Sequence, residues 1–148
     1  MAQQESQGPP PFHRVSNKWV FIAVAAAAFA AIVGIAFLGM AAHRFPDPKL
    51  QTAGNFVLFH AVAAVAVCAL STAAQARGTW FLTAAGLLLS GGLLFGGDIA
   101  TRVMSGNRLF WMAAPLGAGL AISGWALILV GSLAVLRHKD DNKERPPV

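Results

Sequence analysis

Four long stretches of this chain contain no Asp, Glu, Lys or Arg. They run from Trp19 to Ala42, from about Thr52 to Ala76, from Thr79 to Gly97 and from Leu109 to Leu136. A helix rises about 1.5 Å per residue, so about 20 apolar residues cross a hydrocarbon core of about 30 Å. Inside lipid the backbone must satisfy its own hydrogen bonds, which turns four spans into four helices. The expected fold is therefore all-α: a polytopic membrane protein whose transmembrane helices form an antiparallel four-helix bundle over residues 19–136. Composition agrees. Hydrophobic residues make up 56%, charged residues 11%, and the mean hydropathy is +0.60. Charge is too scarce to cover a soluble globule, and the chain is too apolar to stay disordered.

Two tails flank the spans. Residues 1–18 are polar and proline-rich at Pro9, Pro10 and Pro11, and residues 137–148 are charged and end near Pro146 and Pro147. The N-terminal tail has nothing to bury and is expected to be disordered or extended. A basic flank followed by an apolar run and Ala41-Ala42 resembles a signal peptide. The run exceeds a signal core of about 7–15 residues, so a retained helix is expected, with cleavage after Ala42 as the alternative.

The connections set the architecture. Arg77 and Gly78 barely separate the second and third spans, which forces an antiparallel hairpin. The segment from His43 to Gln51 holds Pro46 and Pro48, which are expected to break helix. The segment from Asp98 to Arg108 holds Ser105-Gly106-Asn107, a turn signal. With both termini on one face, that face carries Arg14, Lys18, Arg77, Arg137, Lys139, Lys143 and Arg145. The other carries Arg44, Lys49, Arg102 and Arg108. Seven against four places both termini inside. Trp19, Trp80 and Trp111 lie near span ends, as interfacial anchors do. The net charge of +5 is thus explained by topology, and no basic run suited to nucleic acid is present.

Small residues supply the means of helix association, because lipid gives little hydrophobic drive for it. Ala27 with Ala31 and Ala30 with Gly34 are four-spaced in the first span. Gly92 and Gly96 form a GxxxG in the third. Ala113, Gly117 and Ala121 form a stripe in the fourth, continued by Gly124. These positions are expected to pack helices within the chain or between copies. Pro115 falls in the first turns of the fourth span, where a missing N–H costs little.

Ionisable groups in a bilayer are functional suspects. His60 is the one well inside; His43 and Asp98 stand at the outer ends of the first and third spans. His60 lies eight residues after Thr52, roughly 12 Å below the outer boundary. The same depth on the other spans gives Gly34, Ser90 with Gly91, and Gly117 with Ala118. His60 is therefore expected among small residues, with Ser90 as its side-chain partner or a backbone carbonyl instead. Asn55 is the other amide or hydroxyl candidate on its own span. His43 and Asp98 share a depth and form a candidate outer-interface pair, unless His43 is simply solvated. The depth offset of His60 from His43 and Asp98 argues against a shared metal ion and against a bis-histidine haem. Cys68 is a lone thiol in an apolar run, read as a packed core residue without redox chemistry. No cofactor and no catalytic residue set is expected. The lack of a membrane-buried Glu argues against a small multidrug exporter, and the lone cysteine against a quinone-linked disulfide oxidase.

Short elements in order along the spans resemble those of the DUF423 family of small integral membrane proteins. Phe37-Leu38-Gly39-Met40-Ala41-Ala42-His43 is similar to the family's GAFGAH, with Met40 and Ala41 in place of Phe and Gly. Phe59-His60-Ala61 resembles YHA, with Phe59 in place of tyrosine. Ser90-Gly91-Gly92 resembles SGS, and Pro115-Leu116-Gly117 followed by Gly124-Trp125 resembles PLGG…GW. The resemblance covers about residues 19–136. It implies a four-helix membrane fold and no settled activity.

Three function classes remain in play. A non-catalytic structural or accessory membrane subunit fits the small-residue surfaces and scarce intramembrane charge. Its partners are the bilayer and either further copies or a larger complex. A small transporter or channel would use His60 together with Asn55, Ser71, Thr83, Ser90 and Ser123. A redox subunit binding quinone, haem or metal has the least support.

Overall fold

The computed structural model describes residues 17–74 and 78–143, with side chains from 18–74 and 78–137. It holds four helices: α1 (Asn17–His43), α2 (Pro48–Ala73), α3 (Gly78–Ser105) and α4 (Ala113–Lys143). Each is long and apolar enough to cross a membrane, and no strand occurs among the described residues. Arg77 and the tails 1–16 and 144–148 lie outside the described residues.

Several boundaries differ from the sequence expectation, each for a local reason. Pro48 starts α2 instead of breaking it. It occupies the first turn, where its missing N–H is no loss, and Asp47 caps the helix by accepting from the Lys49 N–H at 2.8 Å. The third span does not stop at Gly97. Asp98 and Arg102, four apart, neutralise each other, so α3 runs on to Ser105. It ends where Gly106 takes a φ of +76°, a left-handed conformation that glycine adopts without strain. Residues 109–112 are loop rather than helix, and α4 begins at Ala113. At the other end, the α4 backbone continues through the first residues of the charged tail to Lys143.

The helices pack in chain order. α1 lies on α2, α2 on α3 and α3 on α4; α1 also touches α3 lightly, and α1 and α4 have no substantial contact. α2 and α3 are the central pair. Their buried residues include Val57, Ala61, Ala64, Val67 and Cys68 from α2, and Phe81, Ala84, Ala85, Leu88 and Leu89 from α3. The outer faces of α1 and α4 stay apolar and uncovered, with Phe21, Phe29 and Ile32 on one and Ile122, Leu129 and Leu133 on the other. Water would not tolerate that surface, whereas lipid tails match it.

Glycine and alanine set how closely the helices approach. In α1, Ala27, Ala30 and Gly34 form a buried stripe. A Cβ on Gly34 would lie 3.0 Å from the Gly54 carbonyl oxygen, and one on Gly54 would lie 2.9 Å from that of Gly34. The α3–α4 crossing is tighter still. A Cβ on Gly91 would sit 2.5 Å from the Ala121 nitrogen, and one on Gly117 would sit 2.5 Å from the Phe95 nitrogen. Real side chains do not come that near to backbone, so both crossings require glycine.

Candidate functional site

Among the described residues, three buried side chains carry polar groups: His60, Ser71 and Asp98. Ser71 donates to the Cys68 carbonyl at 2.6 Å and is thereby satisfied within its own helix. The other two define the candidate sites.

Asp98 is 0% exposed. One carboxylate oxygen, Oδ2, pairs with Nη2 of Arg102 one turn later, and Oδ1 accepts from the Leu109 N–H at 3.0 Å. A buried carboxylate holds its charge only with such partners. The arrangement ties the α3–α4 loop down onto the end of α3. What the loop then presents outward is Leu109, Phe110, Trp111 and Met112, all exposed, with Trp111 at 81%. That is the composition of an interfacial anchor. Arg102 also lines an open cleft of about 410 Å³ between the start of α2 and the end of α3, together with Asp47, Lys49, Thr52, Ile99 and Val103.

The proposed pair of His43 and Asp98 does not form. His43 is exposed at the end of α1, whereas Asp98 is sealed beneath its own loop. The reason is that α3 continues past Asp98, which brings Arg102 onto the same face. Sequence reading placed Asp98 outside the helix and so missed Arg102 as its partner, although the Asp-x-x-x-Arg spacing was the available signal. The Leu109 N–H had no local signal, because it lies 11 residues away across a turn.

His60 is 6% exposed and stands in the middle of α2. Its Nδ1 lies 2.8 Å from the Phe56 carbonyl oxygen one turn earlier. A carbonyl only accepts, so Nδ1 carries the proton. The ring leans on Phe56, with centroids 4.2 Å apart, and meets Phe59 and Trp125 edge-on, each at 6.4 Å. Its Cβ occupies the place that Gly92 leaves open: a Cβ there would lie 3.0 Å away. Gly96 repeats this one turn on, where a Cβ would meet Val57 at 2.3 Å, and Gly124 gives Leu88 its room, at 2.9 Å.

Ser90 is not brought to His60. It is exposed and donates to the Gly86 carbonyl at 2.8 Å. Successive helical residues turn by about 100°, so Ser90 points nearly opposite to Gly92, the residue that faces the imidazole. Asn55 is likewise on an exposed face, five residues and about 140° away from His60. Gly34 and Gly117 share the depth of His60 yet serve other crossings. Gly54 and Gly91, which the four-spaced pattern did not single out, are the partners of those two. Among the described residues, no three His, Cys, Asp or Glu side chains converge.

Comparison with known proteins adds the family. The model for DUF423, described as a protein of unknown function, matches residues 37–118. The UPF0382 inner membrane protein YgdD of Escherichia coli (strain K12) is 32% identical over 120 residues, covering 74% of this chain and 89% of YgdD. The YgdD protein of Shigella flexneri matches to the same extent. The UPF0382 membrane protein C1782.12c of Schizosaccharomyces pombe is 29% identical over 112 residues, covering 68% of this chain and 95% of that protein. No solved structure matches the chain. With its four membrane-length helices, and with the family model spanning more than half its residues, this chain is an integral membrane protein that belongs to the DUF423 family.

Proposed function

We propose that this protein is a non-catalytic structural or accessory subunit of a membrane assembly, either with further copies of itself or within a larger complex. The observation that carries this reading is where its hydroxyl and carboxylate groups are spent. The hydroxyls of Thr83, Ser90 and Ser123 face outward and donate to carbonyls one turn back in their own helices. Asp98 is spent on holding a loop. A polar lane across the bilayer would need such groups to face one another. The outer faces of α1 and α4 supply the complementary half of the argument: each exposes several large apolar side chains that a partner helix could cover.

The membrane is a bacterial inner membrane or the mitochondrial one, with both termini inside. Support comes from the inner-membrane designation of YgdD and from the excess of Lys and Arg on the terminal side. The test is extraction of the full chain in a mild detergent, followed by native mass measurement and identification of what co-purifies. A discrete assembly larger than one chain is expected. A chain that always purifies alone, and that moves a solute in proteoliposomes, overturns the reading. A cysteine placed at Asn107 should label from outside only; labelling from inside reverses the orientation.

A further inference from the structure

His60 has one hydrogen-bonding atom that the fold leaves unused. With Nδ1–H given to the Phe56 carbonyl, a neutral imidazole presents Nε2 as a bare acceptor. No described residue donates to it. Among the described residues, the side-chain nitrogen that is both sealed off and unpartnered is Nε of Arg102. Nε2 of His60 has no hydrogen-bond partner among the described residues, and the residue is 6% exposed beside the exposed Phe59 and Trp125. Buried polar groups are normally satisfied, and the hydrocarbon core holds no water to do it.

The surroundings say what could reach it. His60 is the thirteenth residue of α2 and Trp125 the thirteenth of α4, and both helices start at the outer face. Both rings therefore lie about 18 Å along their helices, near mid-membrane. α2 and α4 each pack on α3 but hardly on each other, and the His60 side chain lies against α3 with its Cβ beside Gly92. Aromatic rings surround the imidazole: Phe56, Phe59 and Trp125, with Phe95 against Phe56 at 4.4 Å. Phe59 and Trp125 are exposed to lipid. A molecule entering here comes sideways from the bilayer core, offers a flat ring to these aromatic rings, and must donate a hydrogen bond.

We infer that His60 is the acceptor of a binding site for a lipid-soluble aromatic alcohol of the quinol class, in its reduced, hydroxyl-bearing form. The oxidised quinone has only carbonyl acceptors and has nothing to offer Nε2. No redox step is involved; the site holds the ligand. This site stands independently of the accessory role.

The test uses the full chain in phospholipid nanodiscs and three probes: a decyl-substituted hydroquinone, the corresponding quinone and the bis-methyl ether. Binding is measured against partition into empty nanodiscs, and imidazole nitrogen resonances are followed by NMR. The hydroquinone should bind about tenfold tighter than the other two, the worth of one hydrogen bond. It alone should shift the Nε2 resonance of His60. In His60→Phe the three should bind alike. Equal binding of all three to the unaltered protein, no binding above partition, or a preference that survives in His60→Phe overturns the inference. Equal displacement by a long-chain aliphatic alcohol overturns its aromatic part. If His60→Phe does not fold, the three-probe comparison on the unaltered protein still decides.

Discussion

Asp98 and His60 are both buried polar side chains, yet they are satisfied to different degrees. The Asp98 carboxylate uses both oxygens, one on Arg102 and one on the Leu109 N–H. His60 uses one ring nitrogen, on its own helix, and leaves the other free. Depth explains the contrast. Asp98 sits toward the C-terminal end of α3, where a loop can fold back and bring an unpaired backbone amide. At mid-membrane every neighbouring backbone amide is already committed to its own helix, so His60 finds no donor there. A polar group near the interface can be wholly absorbed into structure. His60, in the core, bonds only the carbonyl one turn back in its own helix.

The strongest challenge to this contrast is Asp98→Ala. Removing a fully buried partner from a charge pair is expected to cost about 3 kcal/mol in detergent, the lower end for such pairs because Arg102 is partly exposed. Hydrogen exchange should show the Leu109 amide losing its protection. If that amide stays protected, the loop is held by something else.

Gly117→Val comes next. Its Cβ would meet backbone at 2.5 Å, so α3 and α4 must separate, at about 2–3 kcal/mol by thermal denaturation. A smaller effect is expected at His60, and it sharpens the comparison. His60→Ala empties the space beside Gly92 and should cost about 2 kcal/mol, whereas His60→Phe fills it and should stay within about 1 kcal/mol. Equal losses in both would mean that the Nδ1 hydrogen bond, and not the ring's volume, holds the site. Smallest is Gly86→Ala, where nothing lies within 4 Å: a gain of about 0.5 kcal/mol or less is expected from helix propensity, and a loss in the same melt would reveal an unseen contact.

Much of the architecture was legible in the sequence because it rests on local physics. Runs without charge, of span length, must become helices in lipid whatever their neighbours do. Links as short as Arg44–Asp47 leave no choice but an antiparallel neighbour, and the Ser105-Gly106-Asn107 signal marks where α3 turns. The end of α3 was misread because a charge was taken as a boundary. Asp98 paired with Arg102 on the same helix face carries no net charge into the membrane, so the helix continues.

The sites were less legible, because they depend on rotation about each helix axis and on contacts distant in sequence. Equal depth suggested Ser90 or a backbone carbonyl for His60; the Phe56 carbonyl is its partner, and the direction in which each residue points, set by packing against the neighbouring helix, puts Gly92 rather than Ser90 beside it. By itself, then, the sequence determined the solvent, the number of spans and their alternation, since hydropathy and backbone hydrogen bonding act within each segment. Only the tertiary structure decided which glycines meet, that Asp98 binds a loop amide rather than His43, and that His60 keeps a free acceptor. Those outcomes follow from how close two backbones come and which faces they turn to each other, and no single segment encodes either.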